Sequence, residues 1–433
     1  MGNFKNPVLF TFSSNILLLL LSIILSIVIN RALGPYVKGI YTFYITIPLL
    51  LSSFLSFGLE SSNVYFIGKR KIPVHNLINN SIYFYLSIFI VLLLIYKIFE
   101  KNFCFNIRNY TSSNYILYLT LIATPLIIES KFLLSILLGL KRYKLYNSLQ
   151  IIQVFLLVVS LSLYIIFLKN NDVGMFILIW TLSILLNIFI ILFFLKKYIR
   201  LCKFDFHLFR LTINYSIKNY IANIATFLIY RSDYFVISLF LNPNYLGYYS
   251  VATVLSEKLW LIPSSIGTIL YPKISTEKKY NKNSTIMSLK FTLIIMFFLI
   301  IILVLFSQII ITTLYGSSYK LTANIVYYLS PGIFLLSIPK ILTADLNGRG
   351  LPQYSAIYSF IAFLINLLLN LILIPKIGII GAAISTSISY FYVSIMILII
   401  YKKITHIGWK EFLINKNDIK QLMKFIRYEK ANS

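Results

Sequence analysis

Long apolar runs, each of about 20 residues, recur along the chain and are separated by short clusters of charged residues. A run of this length crosses the hydrocarbon core of a bilayer as an α-helix. Composition agrees, since 59% of the 433 residues are hydrophobic and only 12% are charged. A soluble chain of this size needs more polar surface to cover its core. The sequence therefore predicts an all-α integral membrane protein.

We predict about twelve transmembrane helices joined by loops too short to hold a separate domain. The spans are expected at residues 8–30, 40–60, 78–98, 115–138, 147–168, 173–195, 214–240, 246–271, 289–314, 321–345, 354–374 and 379–401.

The basic residues distinguish the two sides of this arrangement. Of 39 Lys and Arg residues, 27 fall on one side of the predicted membrane, eight on the other and four within spans. Because cytoplasmic loops carry the excess of Lys and Arg, we expect both termini in the cytoplasm. The net charge of +27 is spread over loops and the tail, which argues against a nucleic-acid partner, since such binding needs one basic face.

The C-terminal segment, residues 406–433, is basic and amphipathic. One interpretation is an interfacial helix lying against anionic lipid, and the other is a solvated basic tail. The apolar face of such a helix would contain Phe412, Ile419, Leu422, Met423 and Ile426.

An internal repeat divides the chain near its middle. The pattern L-x-P-x-x-x-G-x-Y occurs at residues 33–41 and again at residues 241–249, an offset of six predicted spans. Six is even, so the two halves share one orientation and are related by an axis along the membrane normal. We predict two six-helix lobes, residues 1–200 and 201–405, related by a pseudo-two-fold axis. Such repeats are typical of transporters that rock two bundles around a central site.

Polar residues within the spans align on single helix faces. In span 7, Asn219, Asn223, Thr226, Tyr230 and Asp233 follow one another at helical spacing. Spans 1, 2 and 8 also carry polar faces, and such faces line cavities or pack against other helices. The predicted substrate cavity comprises Asn15, Arg31, Ser53, Glu60, Asn219, Asn223, Tyr230, Arg231, Asp233, Ser250, Glu257 and Lys258.

Charged residues inside spans have a high desolvation cost and need a partner or a function. Asp233 and Glu257 are the candidates for coupling transport to an ion gradient. Arg231 is best placed to bind an anionic headgroup, because a guanidinium can make two parallel hydrogen bonds to a phosphate. The alternative is that each charge pairs with a neighbouring helix. No metal-ligand spacing is evident among the histidines and cysteines, and we expect no cofactor.

Several short motifs occur together in one order along the chain. They include Arg31-Ala32-Leu33-Gly34-Pro35, Gly139-Leu140-Lys141-Arg142-Tyr143, Arg231-Ser232-Asp233-Tyr234, Tyr271-Pro272-Lys273-Ile274-Ser275 and Gly378-Ile379-Ile380-Gly381-Ala382-Ala383. Through them the chain resembles the Wzx-like polysaccharide-export flippases of the MATE-like MOP superfamily over nearly its whole length.

This resemblance implies two lobes that open alternately, with spans 1, 2, 7 and 8 lining the cavity. It further implies that the protein flips an undecaprenyl-pyrophosphate-linked oligosaccharide across the bacterial inner membrane, for O-antigen or capsule-type polysaccharide synthesis. The expected partners are this substrate, membrane lipid and a coupling ion, either H+ or Na+.

Two alternatives remain at this point. A MATE-like drug/cation antiporter fits the same spans, but its cavity should be less cationic. A membrane polysaccharide polymerase or glycosyltransferase should carry a large extracytoplasmic loop with catalytic residues. The longest predicted outside loop, residues 99–114, contains only Glu100, Lys101 and Arg108 as charged residues. We therefore expect a transporter and not an enzyme.

The orientation can be tested with reporter fusions. Because basic residues crowd one side of the membrane, fusions placed after Lys203 and after Tyr428 should both report a cytoplasmic location. An extracytoplasmic signal at either position would contradict the even number of spans.

Overall fold

A computed structural model describes residues 2–69, 72–99, 114–168, 171–200, 203–276, 282–351, 353–415 and 418. These residues form α-helices joined by short turns, with no strand among them. The helices are α1 (Gly2–Leu55), α2 (Leu59–Gly68), α3 (Val74–Phe99), α4 (Asn114–Gly139), α5 (Tyr143–Leu168), α6 (Val173–Leu195), α7 (Phe206–Phe240), α8 (Pro243–Glu257), α9 (Leu261–Thr276), α10 (Lys282–Tyr315), α11 (Thr322–Leu335), α12 (Ser337–Gly348), α13 (Gln353–Ile377), α14 (Ile379–Thr405) and α15 (Trp409–Phe412).

Nine helical stretches in the described part of the chain are long and apolar enough to cross a membrane. The predicted all-helical, multi-pass class is therefore confirmed, whereas the count of twelve spans stays a prediction. Helices α7, α8 and α9 are not among the nine stretches. In α7 the reason is its polar stripe, which lowers the mean hydropathy of a 35-residue helix.

Helix α1 consists of two helices that meet at a kink. Residues 2–55 form a 54-residue element whose backbone is non-helical at Gly34, a position between the predicted spans 8–30 and 40–60. Gly34 has φ 66° and ψ 172°, a conformation that glycine adopts at little cost. A helix of 54 residues would be about 80 Å long at 1.5 Å per residue, far more than one bilayer crossing requires.

The predicted second span, residues 40–60, is interrupted near its end. Phe57 and Gly58 both have positive φ values, 49° and 67°, and the separate helix α2 begins at Leu59. This break places Glu60 in the first turn of α2, where a negative charge is favoured by the helix dipole.

Helix α7 begins at Phe206, earlier than the predicted residue 214. The Asp205 carboxylate accepts a hydrogen bond from the backbone N–H of Leu208 (2.9 Å), as an N-cap residue does. Asn80 of α3 holds Asp205 in place through two bonds of 2.9 Å to its backbone N–H and carbonyl. The α6–α7 connection is thereby fixed against α3.

Two predicted features lie outside the described residues. They are the outside loop at residues 100–113 and most of the tail helix, residues 419–433.

The described residues group into two compact units. The first comprises Met1–Phe227 with Ser238–Gly247, and the second comprises Leu228–Ile237 with Tyr248–Ser433. In the first unit, α4 packs against α1, α2, α3 and α6. Its core contains Ile136, Leu137, Leu149 and Ile191, all fully buried.

In the second unit, α14 packs against α11 and α13, and α9 packs against α12. Asp345 on α12 is fully buried. Its carboxylate accepts hydrogen bonds from Thr285 Oγ1 (2.5 Å) and Tyr401 Oη (2.7 Å) and pairs with Arg349. These partners offset the cost of burying a carboxylate.

The two copies of the repeated motif contact each other reciprocally within the first unit. A Cβ atom on Gly39 would lie 1.8 Å from the carbonyl oxygen of Pro243, and one on Gly247 would lie 2.0 Å from the carbonyl oxygen of Pro35. Each glycine therefore packs directly on the proline of the other copy. This contact explains why the motif keeps a proline and a glycine four residues apart in both copies.

Substitution of either glycine should destabilise the protein. Overpacking costs about 1–3 kcal/mol or more, and a carbonyl at 1.8 Å cannot yield without backbone movement. This cost outweighs the helix-propensity gain of alanine over glycine, about 1 kcal/mol. Gly39→Ala and Gly247→Ala should each lower the melting temperature of the purified protein. Gly68→Ala is the matched control, since its Cβ would meet nothing within 4 Å. Equal melting temperatures for all three variants would contradict the reciprocal contact.

Candidate functional site

A buried polar cluster surrounds Asp233 in the second unit. Asp233 is 1% exposed. Its carboxylate accepts hydrogen bonds from Tyr249 Oη (2.5 Å) and from the backbone N–H of Tyr234 (2.9 Å). The Thr386 hydroxyl lies 3.4 Å away. The carboxylate is thus fixed by donors from α7, α8 and α14.

Two asparagines of α13 extend this cluster. Asn370 Nδ2 donates to Asn366 Oδ1 (2.9 Å), and Asn366 Nδ2 donates to Thr386 Oγ1 (3.4 Å). The oxygen of the Asn370 amide is buried and has no hydrogen-bond partner among the described residues. Carboxylate, amide and hydroxyl oxygens are the ligands that hard cations prefer. The cluster is therefore chemically suited to a small cation or a proton.

Within the described part of the chain, no group of three or more His, Cys, Asp or Glu residues is placed to hold a metal ion. Asn366 and Asn370 were absent from the predicted cavity residues. Their spacing of four residues within an apolar span, which places both amides on one helix face, was the signal available in the sequence.

Arg231 and Glu257 form a bidentate ion pair in the same unit. Nη1 and Nη2 of Arg231 donate to Oε1 and Oε2 of Glu257 at 2.7 and 2.9 Å. Arg231 Nη1 also donates to the carbonyl of Tyr230 at 2.8 Å. This is the neighbouring-helix pairing that the sequence left open as an alternative. It engages the guanidinium that was predicted to bind an anionic headgroup.

Lys340 of α12 lies beside an aromatic cluster. Its ammonium nitrogen is 4.5 Å from the ring centre of Trp260 and 5.8 Å from that of Tyr230. The rings of Trp260, Tyr230 and Tyr390 contact one another at 5.4–6.1 Å. The Trp260 indole N–H donates to the carbonyl of Ile333 (3.0 Å), which fixes the ring. Lys340 is one of the four basic residues within predicted spans but was absent from the predicted cavity residues, although a lysine in an apolar span is itself a signal of function.

One carboxylate faces three cations here. Glu257 interacts electrostatically with Arg231, with Lys258 and with Lys340. Lys258 is half-buried in the 3-10 turn Lys258–Trp260 that follows α8. The three cations outnumber the carboxylates of Glu257 and Asp233, so an excess of positive charge remains even when Asp233 is ionised. We call Arg231, Lys258, Lys340 and Glu257 the cationic cluster.

The predicted cavity residues of the first unit do not form a comparable cluster. Asn15, Arg31 and Asn223 are exposed, and Ser53 Oγ donates to the carbonyl of Leu49 (2.9 Å) on its own helix. Glu60 interacts electrostatically with Lys131 of α4.

Asn219 and Ser250 are the two remaining positions of the predicted cavity. The side chain of Asn219 lies outside the described part of the chain, and Ser250 in the second unit is 2% exposed. The structure thus brings together Tyr230, Arg231, Glu257 and Lys258, with Asp233 nearby on α7.

The fold and the site together define a multi-pass membrane protein whose helices bury charged side chains. The chain matches the structure of the lipid II flippase MurJ in its inward closed conformation with a TM-score of 0.75. The match covers 98% of this chain and 93% of that chain at 19% identity. At this identity the likeness establishes the fold alone.

The sequence profile of the polysaccharide biosynthesis protein family matches residues 5–278. The protein belongs to this family, and the resemblance to Wzx-like flippases of the MOP superfamily is confirmed.

Two curated relatives carry names related to glycan export. The probable low-salt glycan biosynthesis flippase Agl15 of Haloferax volcanii is 25% identical over 188 residues, which are 42% of this chain and 39% of that protein. The putative O-antigen transporter of Shigella flexneri is 23% identical over 186 residues, 42% of this chain and 44% of that protein. The chain therefore matches less than half the length of each relative.

Water access to the polar stripe can be tested by cysteine labelling. In a background without Cys104 and Cys202, a cysteine at exposed Asn223 should react with a membrane-impermeant thiol reagent. Ser250 is also one of the predicted cavity residues, but it is only 2% exposed, so a cysteine there should be protected. Leu228, on the apolar side of α7, is the control for non-reactive positions. Equal reactivity at Asn223 and Leu228 would show that the stripe is a packing surface.

Proposed function

We propose that this protein flips a lipid-linked oligosaccharide across a membrane by alternating access. A saccharide headgroup with attached phosphates is too polar to cross hydrocarbon unaided. A transporter must therefore offer it a polar path, while the lipid tail stays in the bilayer. Family membership and the names of the curated relatives support this class of substrate.

The observation that carries the proposal is the cationic cluster. Three cations face one carboxylate, so an entering phosphate or pyrophosphate gains attraction where an isolated anion would pay several kcal/mol in desolvation. Beside the cluster, the ring of Tyr230 is partly exposed, whereas Trp260 and Tyr390 are buried. Stacking of a sugar on these rings therefore requires the second unit to open. Phosphate binding and sugar stacking are the two contacts that a lipid-linked glycan requires.

Within the cluster we assign the first contact with phosphate to Lys340. Arg231 is already held by both oxygens of Glu257, whereas Lys340 faces mainly aromatic rings. A cation over a ring keeps its full charge, because the ring contributes only a quadrupole. Arg231 can also bind the phosphate when the phosphate competes with Glu257 for its guanidinium.

The resemblance of the chain to Wzx-like flippases supports a more specific proposal for the carrier lipid, the biosynthetic role and the membrane. We infer an undecaprenyl-pyrophosphate carrier, a role in O-antigen or capsule-type polysaccharide synthesis, and residence in the bacterial inner membrane with both termini cytoplasmic. The proposed architecture keeps two six-helix lobes, residues 1–200 and 201–405. Counting α1 as two spans, and adding α7 and the α8–α9 pair to the remaining candidates, gives the proposed twelve.

Ion coupling is proposed to reside at Asp233 rather than Glu257. Glu257 is committed to Arg231. Asp233 is linked through Thr386 and Asn366 to Asn370, whose amide oxygen has no partner among the described residues. Binding of H+ or Na+ there would change the charge of the second unit. Such a change biases two conformations if they bind the ion with different affinity.

The drug/cation antiporter is the weaker alternative. Excess positive charge at the cationic cluster repels cationic drugs, just as it attracts phosphate, because like charges in a low dielectric are costly. The positive sign of the charge in the cationic cluster therefore favours an anionic substrate over a cationic drug.

The proposal predicts that cations of the cluster are needed for transport but not for insertion. A charge-assisted contact contributes about 1.5–3 kcal/mol, so Lys340→Ala and Arg231→Ala should each reduce transport about ten- to a hundred-fold. Arg231→Lys should retain part of the activity, since it keeps the charge but loses bidentate geometry. The measurement is rescue of surface polysaccharide in a flippase-null strain, with protein abundance checked by immunoblot.

Lys320→Ala, at an exposed lysine outside the cluster, is the matched control and should rescue fully. Full rescue by both Lys340→Ala and Arg231→Ala at normal abundance would remove the cationic cluster from the substrate path.

A further inference from the structure

A buried carboxylate in the first unit has no role assigned above. Glu129 of α4 is 4% exposed. Its Oε2 atom is buried and has no hydrogen-bond partner among the described residues. An unpaired carboxylate in such a place costs several kcal/mol, unless the group carries a proton.

Ser81 of α3 gives this acid little compensation. Its hydroxyl donates to the carbonyl of Ile78 (2.8 Å) and to Glu129 Oε1 (3.3 Å). A hydroxyl has one hydrogen, so the two acceptors share it, and the contact with Ile78 is the shorter. One shared donor offsets only part of the cost of burying an ionised carboxylate, and Oε2 has no donor among the described residues.

In the part of the chain that the structure describes, no Lys or Arg forms an ion pair with Glu129. This holds for α1, α2, α3, α5 and α6, which contact α4, and for α7, which packs on the same core cluster. Lys131, two residues along α4, interacts with Glu60 of α2 instead. The remaining titratable neighbour is the neutral phenol of Tyr85 on α3. The charge balance therefore also favours the neutral acid.

A proline lies one turn before this acid. Pro125 is inside α4 and has no N–H, so the carbonyl of Leu121 loses its helical donor. Interior prolines are the usual places where helices bend. Bending at Pro125 would move the following turn of α4 relative to α3, and with it the distance from Glu129 to Ser81.

We propose that Glu129 is a proton-binding site, protonated while α4 packs against α3 and exchanging its proton when α4 bends at Pro125. The site binds H+ and is separate from the Asp233 cluster. It does not depend on the flippase assignment, because proton binding can be measured on the purified protein without any substrate.

The test is infrared spectroscopy of the full-length chain in lipid nanodiscs at neutral pH. A protonated carboxyl group has a C=O stretch that an ionised carboxylate lacks. Glu129→Gln should abolish one such band. Glu411→Gln, at a partly exposed glutamate outside the spans, is the matched control and should leave the band unchanged. Asp233→Asn should leave it unchanged as well.

A second variant covers the case in which Glu129→Gln fails to fold. Ser81→Ala removes the hydrogen-bond partner and keeps the acid, so it should shift the band in frequency without abolishing it. A spectrum in which Glu129→Gln retains every protonated-carboxyl band would overturn the proposal, and so would a band that Ser81→Ala does not move. The infrared bands can be measured on a protein that fails to rescue polysaccharide export. Failure of the flippase proposal would therefore leave the proton-binding proposal standing, and the converse also holds.

Discussion

Every polar group that these apolar helices bury must find its partner inside the protein, because hydrocarbon offers none. The rest of the structure depends on this constraint. Asp345 is held by Thr285, Tyr401 and Arg349, and Glu257 is held by Arg231. At Asn370 and Glu129 the partners are incomplete, and for these two positions we propose a function. The same physics thus accounts for the packing and locates the candidate sites.

Charge sign is the basis of the selectivity that we propose for the candidate site. The cationic cluster shares one carboxylate among three cations, and in the proposed function an anionic headgroup balances the excess positive charge. Lys340 illustrates how such an excess is tolerated: aromatic faces stabilise a cation without neutralising it. The Asp233 cluster has the opposite character, with oxygen atoms that favour a small cation or a proton. One unit therefore carries separate features suited to an anionic headgroup and to a coupling ion.

The repeated motif illustrates a different constraint, that of close backbone approach. Gly39 and Gly247 lie where a side chain would overlap the carbonyl of a proline from the other copy. Only glycine permits this distance without displacing the backbone. The repeat is thus a contact between two matched turns as well as a trace of sequence duplication, which is why its proline-to-glycine spacing is shared.

The sequence by itself determined the all-helical, multi-pass class, because apolar run length and charge placement follow directly from bilayer thickness. It also determined the family, through ordered motifs, and identified Arg231, Asp233 and Glu257 as residues needing a role. The tertiary structure alone decided their partners. Arg231 pairs with Glu257 across 26 residues of sequence, and Asn366 and Asn370 join the Asp233 cluster from a distant helix. Helical spacing determines which face of its helix a residue occupies. Which other helix packs on that face depends on the tertiary structure, and no local sequence pattern encodes it.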